Sequence, residues 1–480
     1  MSEAAAYWTA GTPARSSDVV DVVHPYDGRV VATVCRASDA DVERAVAAAH
    51  ACRARAAALP AHVRAAALDH VSRRLLERTA EIAHQMTLES GKPLKWAMAE
   101  VPRAAETFRF AAEEARRWSG EVQRLDTDAR STGRLGLTRR VPRGPVLGIT
   151  PFNFPLNLVA HKVAPALAVG APVVLKPAPR TPLTALTLGE LLAETDLPEG
   201  MWSVLPMTDA QAAGLVADPR LPVVSFTGSG AVGWRIRDSA PRKQMTLELG
   251  SNAAVLVCAD YGSDVDLDLA ADRIATFGMY QAGQSCISVQ RVYVAADLYP
   301  ALAERVVQRV AALNTGDPVD PDTDVGPLID EAAAERVERW VEEAVSAGAR
   351  VLVGGKRDRT TYAPTVLEHV PEDAAVFAEE VFGPVVVLSP VPSDEDGLDR
   401  VNDSRYGLQA GVFTHDLHTA FRAFQQLEVG GVIIGDVPSY RTDNLAYGGV
   451  KDSGDGREGI RCAMTDYTQE RVMVLTEVTL

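Results

Sequence analysis

The sequence predicts an α/β protein built on parallel sheets, and three observations predict it. Short apolar runs alternate with longer stretches of helical spacing, as successive βαβ units require. The runs read as short buried strands, which implies a parallel sheet with helices on both faces. The 480 residues exceed what one core usually supports, so two or three packed units are expected.

The elements follow in order. Residues 40–119 are helix-rich: Asp41 and Glu43 supply an acidic first turn, and 62–90 and 99–117 continue with helical spacing of Leu, Ala, Ile and Phe. Strands are predicted at Val146–Ile149, Ala171–Leu175, Met201–Leu205 and Val223–Phe226, with helices at Val159–Val169 and Ala185–Leu192. A second α/β unit begins near Ala253. It holds a strand at Val289–Val294, helices at 299–312 and 331–347, and a strand at Ala349–Val353. Segments 121–142 and 466–480 read as extra pairing elements. The apolar run from Arg471 to Thr476 would be an aggregation liability as a bare edge, so it is expected to pair with another element or subunit.

Composition excludes several classes. Apolar residues at 47% and charged residues at 23% suit an ordinary globular protein. A net charge of −16 argues against nucleic-acid and anionic-membrane partners. No run approaches the roughly 18–20 apolar residues of a membrane span, and the N-terminus lacks a signal-peptide pattern. Five scattered cysteines form no paired framework, so reduced thiols in a cytoplasmic protein are expected. His415 and His418 flank Asp416, but Thr414-His415-Asp416 reads as a polar loop, which offers no convincing metal site.

One cysteine stands apart. Cys258 sits inside the apolar run Ala254–Val257 that precedes it, as a core thiol does, whereas Cys286 follows Gln281-Ala282-Gly283-Gln284-Ser285 at a turn. Glu248 ends the run Thr246-Leu247-Glu248, and Asn153 lies between Pro151 and Pro155. Each is weak alone: a core hydrophobe, a surface charge, a turn residue. Together a thiol, a carboxylate and an amide donor can perform covalent acyl chemistry. Gly228-Ser229-Gly230-Ala231-Val232-Gly233 follows a strand and precedes a helix, with Glu248 twenty residues beyond Gly228. Read mechanically, that is a dinucleotide fingerprint with its ribose-binding acid.

In this order and context the motifs resemble the aldehyde dehydrogenase superfamily, from about Pro25 to the C-terminus. The resemblance implies an aldehyde-dehydrogenase-like fold: a Rossmann-like cofactor domain (1–120 and 143–252), an α/β catalytic domain (253–450) and a small oligomerisation domain (121–142 and 466–480) of a homodimer or homotetramer. It implies NAD(P)+-dependent oxidation of an aldehyde through a thioester on Cys286, with Asn153 stabilising the oxyanion and Glu248 activating water, so Glu248 is not the ribose acid. Phe152, Lys176, Gly228, Ser229, Gly233, Leu249, Glu380 and Phe382 fall on the family's NAD or NADP segments. Pro179 stands where many members carry a ribose-binding glutamate, and Arg180 follows, either as a 2′-phosphate donor or as a solvated surface residue. NADP+ is therefore expected to serve at least as well as NAD+. Tyr447–Gly454 matches a segment of mainly scaffold role. Gly435 departs from a usual asparagine, and Ser251-Asn252 from a usual Gly-Lys. For substrate, Arg109 and His161 suggest a small oxygenated or anionic aldehyde, unless Arg109 only covers its helix surface. A cysteine hydrolase and a non-catalytic structural protein remain as alternatives.

Overall fold

The computed structural model of the protein describes residues 3–477. Its first sheet has a parallel core in the order Trp202–Val204, Val173–Lys176, Val146–Ile149, Val223–Thr227, Gln244–Glu248. The chain builds from Val146–Ile149 to one side, then returns to its other side with Val223–Thr227. These two strands pair in parallel, Phe226 opposite Ile149. Such a reversal opens a crevice at the strands' carboxyl ends, where ligands bind in open α/β sheets. The helix Asn157–Val169 is buried along its length, packed between this sheet and the helix Leu94–Arg117.

Antiparallel strands close both edges. Trp8 of Tyr7–Thr9 pairs with Val204, and Gly454–Asp455 pairs with Leu247 and Glu248. The strands Tyr7–Thr9, Thr12–Ala14, Val19–Val23 and Val30–Cys35 were not expected. Two of them have only three residues, too short to show an alternation. The stretch 62–90 is two helices, Ala61–Glu77 and Thr79–Ser90, broken at Arg78 with φ −105° and ψ 20°. His418 lies in the helix Leu417–Gln426, whose start Asp416 caps.

The second sheet runs Arg350–Val353, Thr365–Glu368, Val385–Val391, Arg291–Ala295, Ala254–Val257, Gln409–Phe413, Gly431–Ile434. It is parallel except at its Arg350–Val353 edge. The strand expected from Val289 begins at Arg291, because Val289 and Gln290 donate to the carbonyls of Phe277 and Ala253 outside the ladder. A third sheet pairs Thr468–Thr476 with Arg134–Pro142 over nine positions, with Val122–Arg124 on the far side. Val472, Met473 and Val474 stay exposed in it. Of the expected terminal segment, 478–480 lie outside the described residues. Among the described residues no helix is long and apolar enough to cross a membrane.

The helix Asp264–Met279 starts in a capping box of Ser263 and Asp266 and delivers the chain to the Cys286 turn. A Cβ at Gly278 would overlap the buried Val386 Cγ2 of the strand Val385–Val391. Gly278→Ala is therefore expected to cost about 1–3 kcal/mol of overpacking, read as a lowered urea midpoint. An unchanged midpoint would mean that the helix slides freely on the sheet.

Candidate active site

Two bodies meet at the crevice. From the first sheet come the ends of three strands: Thr150–Asn153 after Ile149, Gly228 and Ser229 after Thr227, and Glu248, which pairs with Thr227. From the second comes Cys286. Before it, Gln281, Ala282 and Gly283 take left-handed φ of 52°, 53° and 68°. Gly283 has no alternative, because a Cβ there would overlap the Gly383 carbonyl. For the other two the conformation costs about 1–2 kcal/mol per residue, so the surroundings must hold it. The Gln281 side-chain amide donates to the Asn153 carbonyl, and Asn153 Nδ2 donates to the Gln284 carbonyl at 3.0 Å. Gln284 Oε1 accepts from the Ile329 N–H at 2.9 Å. The strained turn is thereby stitched to the first body at Asn153.

Cys286, Asn153 and Glu248 line one cavity of about 390 Å³ with Phe152, Glu380 and Phe382. Burial pushes the Cys286 thiol up to about 12, opposed by a Tyr447 hydroxyl 3.0 Å from Sγ and by the charge of Arg441. Both Glu248 oxygens are buried without a hydrogen-bond partner. Burial, and then the Glu458 carboxylate, raise its pKa well above the usual range. A carboxylate with no donor accepts a proton from water readily, as a general base in a cavity must. Burial also opposes charge on Glu458, but Lys162 at 3.0 Å and Arg441 at 3.1 Å hold it ionised. Asn153 Oδ1 has no partner, and Nδ2 keeps a second N–H beyond its bond to Gln284.

A second cavity of about 330 Å³ shares Pro151, Phe152, Thr227, Gly228 and Ser229 with the first, so the two form one cleft. The helix Gly230–Ser239 opens onto it, and Ser229 at its N-cap makes no side-chain cap bond. Free N–H groups at a helix start suit a pyrophosphate. Glycine is needed here: a Cβ at Gly228 would lie 2.6 Å from the Phe226 ring, and one at Gly233 would overlap Leu249. At the thiol end, Glu380 accepts from the Ser251 N–H at 2.9 Å, and burial pushes its carboxyl up to about 7. Phe382 meets Phe152 edge-on at 5.9 Å. At the far end lie Lys176, Pro179, Arg180 and Arg235. Lys176 is 3.2 Å from Asp209, and Arg180 is 3.0 Å from Asp330. Length, a free helix start and a terminal carboxylate together fit a nicotinamide dinucleotide.

The two substrate candidates are not in this cavity. Phe108 is fully buried, and Arg109, one residue and about 100° further around the same helix, points to solvent. It pairs with Glu106 and Glu113 and lies over the Phe110 ring. The surface-covering alternative for Arg109 is therefore the one observed. His161 is buried behind the site, its Nε2 2.9 Å from Asp443 Oδ1, and burial lowers its pKa. Sequence reasoning missed the arginines around it. Arg103 and Arg441 both flank Asp443, at 2.9 and 3.8 Å. Arg441 also lies 3.7 Å over the Tyr447 ring, with Nε buried and without a hydrogen bond. Tyr447, expected as scaffold, touches the thiol itself. A signal for Arg103 existed: it shares a helix face with Glu100 and Thr107, both buried. The departures also have local reasons. Gly435 has φ +75°, where glycine is at ease, and Asn252 donates to the Phe377 and Ala378 carbonyls and accepts from Ser404.

A thiol, a buried carboxylate and a dinucleotide-sized cleft are the parts that a nicotinamide-dependent oxidoreductase needs. The aldehyde dehydrogenase family profile matches residues 12–473, and the chain belongs to that family. It is an NAD(P)-dependent aldehyde dehydrogenase. It is 42% identical to a 3-sulfolactaldehyde dehydrogenase of Priestia aryabhattai, over 96% of this chain and 95% of the relative. It superposes with TM-score 0.97 and 44% identity on an aldehyde dehydrogenase of Physcomitrella patens in complex with the reaction product succinate, covering 100% and 99% of the two chains. It superposes with TM-score 0.90 and 35% identity on a glyceraldehyde-3-phosphate dehydrogenase of Methanocaldococcus jannaschii complexed with NADP, covering 95% and 99%.

Proposed function

We propose that Cys286 is the nucleophile, Asn153 the oxyanion donor and Glu248 the water-activating base in oxidation of a small anionic aldehyde to a carboxylate. The observation that carries this reading is the convergence of a thiol, an unpartnered carboxylate and a free amide N–H on one cavity. The Cys286 sulfur attacks the aldehyde carbon. Asn153 Nδ2 and the Cys286 N–H donate to the oxygen that becomes negative. Oxidised nicotinamide, when bound, supplies the hydride acceptor, and a thioester remains on Cys286. Glu248 takes a proton from water, which then cleaves that thioester. Glu380 holds the nicotinamide ribose, Phe152, Leu249 and Phe382 pack about the ring, and Gly228, Ser229 and Gly233 receive the pyrophosphate. The three domain segments, a homo-oligomer built on the third sheet, and a cytoplasmic location are part of the same reading.

Because the raised Glu248 pKa keeps the carboxyl neutral at lower pH, thioester hydrolysis should climb as pH rises through that value. Glu248→Gln should give a hydride burst, then stalled turnover without that acid limb, and Cys286→Ala should give neither. Loss of the burst in Glu248→Gln would place Glu248 before hydride transfer.

Arg103 and Arg441 supply the positive field for the anion from around Asp443, beside the cavity rather than on its lining. With Lys162 they bring three positive charges against Asp443 and Glu458, which leaves one in excess beside an unpartnered Arg441 N–H. The three relatives' names concern a sulfonated aldehyde, a dicarboxylate product and a phosphorylated aldehyde, which supports a reader of charge rather than of one acid's shape. Arg103→Gln should lower kcat/KM for anionic short aldehydes by about tenfold or more, roughly 1.4 kcal/mol, and leave neutral ones little changed. Equal losses for both would refute it.

At the adenosine end Pro179 removes the usual acid, but Asp209 supplies another beside Lys176. Arg180 and Arg235 offset it, so NADP+ should serve at least as well as NAD+. Asp209→Asn should raise the NADP+ to NAD+ ratio of kcat/KM about five-fold, roughly the 1 kcal/mol of a near-surface charge pair. An unchanged ratio would remove Asp209 from the selection.

A further inference from the structure

Tyr447 is the only side chain hydrogen-bonded to Cys286 among the described residues, Oη to Sγ at 3.0 Å. Tyr447 is buried and Cys286 half-buried, and on the side away from the cavity the thiol packs against Ile287, Leu408 and the Tyr447 ring. Among the described residues no other side chain donates to the sulfur. The Arg441 guanidinium lies 3.7 Å over the Tyr447 ring and is tethered at 3.1 Å to Glu458. A cation on the ring face draws charge from the phenol and makes its O–H a stronger donor. The other charged or titratable groups facing the pair are Glu248, Glu380 and Tyr280, with Arg336 lining the same cavity. The two carboxylates disfavour a thiolate, which leaves Tyr447 and the arginines to favour it.

We propose that Tyr447, backed by Arg441, is a further catalytic residue: its hydroxyl donates to the Cys286 thiolate and so sets how much thiolate exists at neutral pH. The proposal rests on Cys286 being the nucleophile. The S–H bond breaks, its proton passes to solvent water at the part-exposed Cys286, and the electron pair stays on sulfur. Tyr447 keeps its proton throughout and turns from either partner of a neutral hydrogen bond into the donor of a charge-assisted one. When sulfur bonds to the aldehyde carbon that bond weakens, so the tyrosine also favours the leaving thiolate as the thioester is cleaved.

The test uses iodoacetamide, an uncharged probe that reports thiolate without engaging the anion-reading arginines. Alkylation of Cys286 is followed by mass spectrometry against pH in the full-length wild type, Tyr447→Phe and Arg441→Gln. Tyr447→Phe removes one oxygen, and an unchanged melting temperature shows that it is folded. Its alkylation midpoint should rise by about one pH unit, a tenfold loss of thiolate at neutral pH. kcat should fall by a similar factor, and KM for the aldehyde should change less. Arg441→Gln should move the midpoint the same way by less. An unmoved midpoint in Tyr447→Phe would overturn the proposal and make Tyr447 packing only. Turnover by Cys286→Ser at the wild-type rate would instead refute the nucleophile assignment, whatever the alkylation shows.

Discussion

One stretch of chain, Tyr447 to Glu458, holds the chemistry of two separately folded bodies in one cavity. Tyr447 reaches the thiol of the second body. Gly448 passes so close to the first body's base that a Cβ would stand 2.6 Å from Glu248 Oε1. Ser453 accepts from the Leu249 N–H through its carbonyl, and its hydroxyl bridges the Gly250 carbonyl and the Gly407 N–H. Gly454 then pairs with Glu248 as an edge strand, and Glu458 meets Lys162 behind it. The glycines follow from this path. At Gly448, Gly449 and Gly454 the backbone lies against other backbone or a carboxylate with no room for a side chain.

The electrostatics follow from the same closeness. Glu248 and Glu458 cannot both ionise cheaply in a buried site. Lys162 and Arg441 contact Glu458 directly, while Glu248 has no donor at all, so the negative charge settles on Glu458 and Glu248 is left to take up a proton. One carboxylate is structural and the other reactive, although both are glutamates buried to the same degree. The difference lies in where the cations stand. Lys162 reaches that point because the helix Asn157–Val169 lies against the sheet, with Ser225 and Thr227 directing its ammonium.

Much of this was legible in the sequence. Buried parallel strands announce themselves as short apolar runs, and their carboxyl ends carry Asn153, Lys176, Gly228 and Glu248 in order. Cys286 was legible by contrast with Cys258, which lies inside a strand-end apolar run and is buried. What escaped was long-range. The thiol and Tyr447 are 161 residues apart, and His161 and Asp443 are 282 apart; no local pattern links them. Helix phase explains the error at Arg109. Phe108 is buried and Phe110 packs partly on the core, while Arg109 between them faces solvent, and Arg103 sits on the face shared by Glu100 and Thr107.

The strained turn before Cys286 shows why these long-range contacts cannot be spared. Left-handed Gln281 and Ala282 would relax if the chain were free to move. The Gln281 side chain instead grips the Asn153 carbonyl, and Asn153 grips the Gln284 carbonyl in return. The amide that faces the cavity is thus positioned by the loop that carries the thiol, and the loop is held in its costly shape by the residue that carries the amide. Separating the two bodies would release both at once. The site is therefore a property of the closed interface between the sheets, and neither body would present it alone.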